Sequence, residues 1–260
     1  STQFNNWFSF IKYAKGFSID YGYATMNFIA SRLGNDAHIF FFILSFLELL
    51  ILYLAIKRNC PEGMISLSFI VYYFLYFNES LNNMRQFPAL LIVLYSYRFV
   101  KEKRMLPFLL CIFLAAQFHI TAVFAILLYP IAWLARNKLS KLSLVFITVG
   151  VLIACISIAS IFNFLSSIGF NLLRYEHYFT DTENSGGKYI RLFTYGLICL
   201  FIVTNRERIR NLVNCEYNII VFYSTISLSF TALMFLGISN YIVRLSYYFD
   251  FFTLYYLPLI

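Results

Sequence analysis

Arg85 and His119 are the residues whose types and placement reach furthest toward chemistry, because both stand at the ends of apolar runs. Arg85 follows ESLNNM and precedes Gln86 where a helix is expected to begin. A guanidinium there donates a bidentate fork to phosphate, and helix N-terminal amides add to anion binding. The same residue also fits an interfacial anchor that snorkels to headgroups. Asn82, Asn83 and Gln86 supply more polar donors than an anchor needs, which favours the binding role. His119 lies in QFHITA between two apolar runs. It fits a general base near neutral pH, a donor to an anion, or a neutral imidazole bonded to a neighbouring helix. Gln117 beside it favours the first two.

Further candidates follow the same logic. Arg244, in SNYIVRLSYYFDFF, is a cation near the start of the last apolar run, with Tyr241, Tyr247 and Tyr248 close by. Asp250 lies deeper in that run and is expected to pair with a cation. A polar stretch at 163–188 carries Arg174, Tyr175, Glu176, His177, Tyr178, Asp181 and Glu183, and Arg191 follows at its edge. Glu48 is central in its apolar run and reads as a structural pair partner or a protonated acid. Ionisable groups at membrane depth are costly, so each is a functional candidate. No Walker A, HExxH, GxSxG or paired Asp-x-Asp pattern is present. Several Arg, one His and many Tyr suit a diphosphate and a sugar stacked on aromatics. They do not suggest a divalent-metal site.

The elements that must position these groups are membrane helices. The chain has 260 residues, 61% of them hydrophobic and 12% charged, with a mean hydropathy of +0.73. Most segments between charged clusters are apolar all round, which fits lipid or a bundle interior. The expected fold is an all-α, polytopic helical bundle forming a single membrane-embedded domain over 1–260. Apolar runs fall at 37–56, 64–78, 87–99, 105–118, 120–135, 142–162, 189–204, 218–239 and 245–260, about nine membrane segments. A full span needs about 20 residues, which 37–56, 142–162 and 218–239 supply. The shorter runs need helical polar flanks or submerged turns. Residues 1–36 are mixed and amphipathic and read as an interfacial segment. Within it a helix is expected from about Tyr23 to Leu33, capped by Ser18 or Asp20 and ended at Gly34-Asn35.

Charge sets the topology. The segments 57–63, 100–104, 136–141 and 205–217, with Arg98, hold 12 of the 20 Lys and Arg residues. The positive-inside rule makes their side cytoplasmic. Residues 1–36, 79–86, the His119 turn, 163–188 and 240–244 then face outward. A continuous span over 105–135 would put 101–104 and 136–141 on opposite sides, so a re-entry or tight turn is expected at Phe118-His119. An outward-bound span is expected before Ser1, and the last apolar run stops at Ile260; the chain reads as an internal part of a longer protein. The net charge of +8 sits in those loops and implies no nucleic-acid partner. Cys60, Cys111, Cys155, Cys199 and Cys215 lack ligand spacing and are expected to be unpaired apolar residues.

Four stretches carry a resemblance: GFSIDYGYATMNFIASRLG, NNMRQFPALLIVLYSYRFVKEKR, FLAAQFHITAVFAILLYPI and VRLSYYFDFFTLYYLPLI. In order and spacing the chain resembles the Wzy-type O-antigen and exopolysaccharide polymerases, in particular the EpsG-like branch. One departure is Phe87-Pro88-Ala89, where the family has Ala close after Arg-Gln. The resemblance implies a bacterial inner-membrane glycosyltransferase with its active face periplasmic. It would transfer a growing glycan from undecaprenyl diphosphate to a new lipid-linked repeat unit, without nucleotide sugar, metal or other cofactor. On that reading Arg85, His119 and Arg244 act in catalysis. Gln86, Arg174, Tyr175, Tyr178, Arg191 and Tyr247 bind substrate. Partners would be the undecaprenyl-diphosphate-linked oligosaccharide, membrane lipid, and chain-length-regulator and flippase proteins. The competing readings are a lipid-linked-oligosaccharide flippase, an O-antigen ligase and, more remotely, a membrane acyltransferase.

Overall fold

The computed structural model describes residues 6–16, 19–34, 36–61, 63–136, 149–150, 153, 188–213, 216–233 and 241–259. The described residues form helices joined by turns, with no strand among them. They divide into two compact units, Ser1–Ile126 and Leu127–Ile260.

Helix α3 (Ala37–Asn59) sets the frame of the first unit. Asp36 caps it, its carboxylate accepting from the His38 amide at 2.9 Å, and Lys57 and Arg58 complement the dipole at its C-terminal turn. It is apolar all round, yet only the stripe Phe40, Leu44, Glu48, Leu52, Ala55, Ile56 and Asn59 is buried. Phe42 and Phe46 stay exposed. Among the described residues this 23-residue helix alone is long and apolar enough to cross a membrane. Shorter apolar helices cover Ile65–Leu75, Met105–Phe118, Ile120–Arg136 and Tyr189–Thr204. Phe74, Leu106, Phe113 and Phe193 are exposed, an apolar surface of the kind that lipid covers.

The return from α3 is α4 (Ile65–Leu75) and α5 (Phe77–Asn82). Tyr76 is the junction, but the Tyr76 amide bonds Tyr72 O and the Ser80 amide bonds Tyr76 O. The short run at 64–78 is therefore lengthened by helical polar residues, one of the two ways expected.

Helix α6 (Gln86–Lys101) is the core of this unit, with every residue from Gln86 to Leu94 buried. Pro88 falls in its first turn, where a missing N–H costs no helical bond. Helix α7 (Met105–Phe118) packs against it. The connection Glu102–Arg104 is so short that the pair must be antiparallel, and Lys103 takes a positive φ of 58° within it. Lys101 Nζ donates to the main-chain oxygen of Asn59 at 3.3 Å, tying the C-terminal ends of α6 and α3 together. The basic segments 57–63 and 101–104 thus share one end of the unit. Arg85 and His119 share the other.

Helix α7 ends after Phe118, at the position where a re-entry or tight turn was expected. His119 is extended, at φ −155° and ψ 120°, and a 3-10 helix over Ile120–Leu127 follows. Before α3, α1 (Trp7–Gly16) packs on α2 (Tyr21–Leu33) through Phe10, Ala14 and Ala24. Trp7 Nε1 donates to Thr25 Oγ1 at 3.1 Å. Helix α2 starts two residues earlier than expected and ends at Gly34 as expected.

The second unit holds α8 (Leu128–Arg136), α9 (Lys188–Thr204), α10 (Arg206–Val213), α11 (Tyr217–Leu233), α12 (Tyr241–Asp250) and α13 (Thr253–Tyr256). Helix α11 is central and packs on α8, α9 and α12. Tyr223 OH donates to Leu128 O at 2.8 Å, and Asn218 Nδ2 donates to Ala135 O at 3.2 Å. Helix α10 is amphipathic, with Ile209 buried and Arg206, Arg208 and Arg210 exposed. The run at 245–260 is not one helix. It breaks at Phe251-Phe252, where Thr253 Oγ1 donates to Asp250 O at 2.7 Å, and it ends in a 3-10 turn over Leu257–Leu259. The run at 142–162 and the outer stretch at 163–187 lie outside the described residues, apart from the helical residues 149–150 and 153.

Candidate functional site

The antiparallel α6–α7 hairpin brings Arg85 and His119 to one end of the first unit. Arg85 precedes the first residue of α6 and is exposed. Gln86, next to it, is buried. Asn82 Nδ2 donates to Asn78 O at 3.0 Å, and Asn83 Nδ2 donates to Glu79 Oε2 at 3.1 Å. These amide donors serve their own helical turns, which sets the polar surroundings of Arg85 apart from the cluster the sequence suggested. Gln117 does likewise, donating to Phe113 O at 3.2 Å.

His119 faces Asp20. Its Nδ1 lies 3.6 Å from Asp20 Oδ2, and both side chains are 13% exposed. That is just beyond hydrogen-bond length, and Nδ1 is buried with no hydrogen-bond partner. Asp20 occupies the N-cap position of α2 but makes no side-chain cap bond.

Gly22 explains how α2 comes so close. A Cβ built on it would lie 2.9 Å from Gln117 O, 3.0 Å from Gln117 C and 3.1 Å from Phe118 Cδ2. Only glycine lets the first turn of α2 rest on the last turn of α7 in this way. Tyr23, one residue on, is half-buried; burial raises its phenol above the ordinary range, while the Asn27 amide and the positive charge of Arg85 partly oppose the rise. Asp20, Tyr23, Arg85 and His119 thus belong to one end of this unit.

The sequence model of the EpsG family matches residues 2–260. The chain belongs to the EpsG family. No curated protein and no solved structure matches it significantly.

The EpsG-family chain carries its remaining candidates in the second unit. Arg191, on the first turn of α9, pairs with Asp250 and donates to Ser246 Oγ at 2.6 Å. Its guanidinium carbon lies 4.5 Å from the Tyr247 ring centroid and 5.2 Å from that of Tyr195. Asp250 also accepts from Ser227, and from Ser246 at 3.0 Å. The structure therefore brings Arg191 and Tyr247 together around a fully buried carboxylate. The charge of Arg191 is met inside the protein. Arg244 is half-buried on the first turn of α12. Arg174, Tyr175 and Tyr178 lie outside the described residues.

Among the described residues no group of three or more His, Cys, Asp and Glu converges. Cys60, Cys111 and Cys199 form no disulfide, Cys60 Sγ lies 3.4 Å from Ser68 Oγ, and burial pushes the Cys60 thiol above its ordinary range. Cys155 and Cys215 lie outside the described residues. Asp20 is the site residue that sequence reasoning missed. The signal available was an Asp at a helix start whose next glycine, Gly22, had no turn to explain it.

Proposed function

We propose that this EpsG-family chain is a polysaccharide polymerase: a glycosyltransferase that joins lipid-diphosphate-linked repeat units at the outer face of the bacterial inner membrane. The observation that carries the reading is the grouping of Arg85, His119 and Asp20 at one end of the first unit, away from its basic loops. Asp20 holds the imidazole through Nδ1–H once the pair tightens around substrate, leaving Nε2 to take the proton of an acceptor hydroxyl. The acceptor oxygen forms a bond to the anomeric carbon of the donor glycan, and the bond from that carbon to the phosphate oxygen breaks. Arg85 stabilises the charge that develops on the departing prenyl diphosphate. The donor is already activated as a diphosphate ester, so the step calls for no nucleotide sugar and no metal. Arg244, and the outer residues Arg174, Tyr175 and Tyr178, are assigned to lipid-diphosphate and glycan contacts.

The same reading makes the chain polytopic, with about nine membrane segments and residues 1–36 at the outer interface. It works beside flippase and chain-length-regulator proteins. The test is the surface glycan. Loss of the gene is expected to leave a single repeat unit, and Arg85→Ala is expected to reproduce that pattern. A complete absence of surface repeat would identify a flippase instead. Long polymer retained on the lipid diphosphate would identify a ligase.

A further inference from the structure

A cleft of about 360 Å³ opens between α2 and the start of α3, with Met84 at its edge. Its apolar wall is Tyr23, Phe40, Phe41 and Met84, and its polar groups are Asn27, Ser31 and Asp36. The floor is built, since Phe40 and Ala30 belong to a buried cluster against which Tyr23 and Met84 pack. Phe41 remains exposed. Asn27 Nδ2 donates to Tyr23 O at 2.9 Å and Ser31 Oγ to Phe28 O at 2.7 Å. Both side chains still have oxygen lone pairs to accept from a ligand. Asp36 accepts one amide bond, from His38, and a carboxylate takes more than one.

This lining discriminates between ligands. A prenyl chain would strip water from an amide, a hydroxyl and a carboxylate without replacing their hydrogen bonds. An anion placed in the cleft would meet Asp36. A pyranose satisfies both walls, its C–H face on the aromatics and its hydroxyls on the oxygen acceptors. Two cations adjoin the cleft in sequence: Arg32, beside Ser31, whose guanidinium carbon lies 4.6 Å from the Phe28 ring centroid, and Arg85, beside Met84, whose charge is felt at Tyr23. The matching ligand is a neutral sugar with a diphosphate next to it. We propose that the cleft binds the sugar bonded directly to the lipid diphosphate, with Asn27, Ser31 and Asp36 on its hydroxyls and Arg85 on the diphosphate. The proposal rests on the polymerase reading and names the subsite it requires.

The experiment compares binding of three probes to the full chain in nanodiscs: farnesyl diphosphate, and the same lipid carrying glucose or N-acetylglucosamine. A sugar-bearing probe is expected to bind about tenfold more tightly than the bare one, as two well-made hydrogen bonds allow. The Asn27→Ala/Ser31→Ala double variant should erase that increment and leave bare-lipid binding as it was. Alanine favours the helix at both positions, and retained bare-lipid binding reports the fold. No increment for either sugar, or an increment that survives the double variant, overturns the proposal. Arg85→Ala should weaken all probes alike. If it leaves them unchanged while the sugar increment persists and is lost in the double variant, the subsite stands and the diphosphate assignment of Arg85 fails.

Discussion

Gly22→Ala separates orientation from stability at the candidate site. The added Cβ would sit 2.9 Å from Gln117 O, whereas ordinary van der Waals contact starts at 3.4 Å. The atom it meets is backbone at the end of α7, so relief requires the start of α2 to move away by about 0.5 Å. Asp20 precedes that turn, and its carboxylate is already 3.6 Å from His119 Nδ1. The same displacement takes the pair to about 4 Å, farther from the hydrogen bond it must tighten to make around substrate. The stability terms nearly cancel: crowding costs about 1–3 kcal/mol, while alanine gains about 1 kcal/mol over glycine in a helix. The variant should therefore unfold within about 2 kcal/mol of the parent. Polymer formation should fall much further, by about a hundredfold, the lower end of what a positioned general base contributes. Gly16→Ala, whose Cβ would meet nothing within 4 Å, is the control and should keep full activity. The readouts are thermal unfolding and polymer length in a reconstituted assay. A Gly22→Ala protein with parental polymerisation, or with losses no larger than its destabilisation predicts, would refute the orienting role of the α2–α7 contact.

Asp20→Asn should lower kcat by about a hundredfold or more with KM little changed, because a neutral amide no longer selects the imidazole tautomer. Combining it with His119→Gln should add nothing beyond the His119 variant alone, and additive losses would separate the two residues. In the second unit, Arg191→Ala strands the buried Asp250 carboxylate and should cost about 3–5 kcal/mol in unfolding measurements. The double variant Arg191→Met/Asp250→Leu should recover most of that stability. Retained polymerisation in the double variant would assign Arg191 to the fold rather than to the diphosphate.

The ends of α6 and α7 were legible because charge marks them. Arg85, the 101–104 cluster and His119 are polar interruptions in apolar sequence, and each falls at a helix boundary. The partner of His119 was not legible. An Asp before a helical stretch reads by default as a cap, and its pairing depends on a distant glycine contact that has no local pattern. Asp250 was expected to pair with a cation, as it does, but the identity of that cation, Arg191, was not legible. The two lie 59 residues apart, and only packing joins them. The apolar run over 245–260 likewise concealed the turn at Phe251-Phe252, because a switch to i→i−3 main-chain bonds leaves no mark in the hydropathy pattern.

Helix length gives the site its depth. Helix α3 has 23 residues, which reach about 34 Å and cross a hydrocarbon core of about 30 Å. Helices α6 and α7 have 16 and 14 residues, reaching only about 24 and 21 Å. The bond from Lys101 to Asn59 O aligns α3 and α6 at their basic ends, so the whole difference falls at the opposite end. There α3 extends about 10 Å beyond the start of α6. Met84, just before α6, packs against the cluster of Ala30, Phe40 and Leu44, the last two in the N-terminal part of α3. The step between the two helix ends is bordered by α2, which rests on α7 through Gly22 and carries Asp20 to His119. On the polymerase reading, polar groups in such a step would lie below the headgroup layer and open outward. That is the depth at which a diphosphate would join a prenyl chain to a glycan, and the reading gives core helices that stop short of a full crossing a purpose.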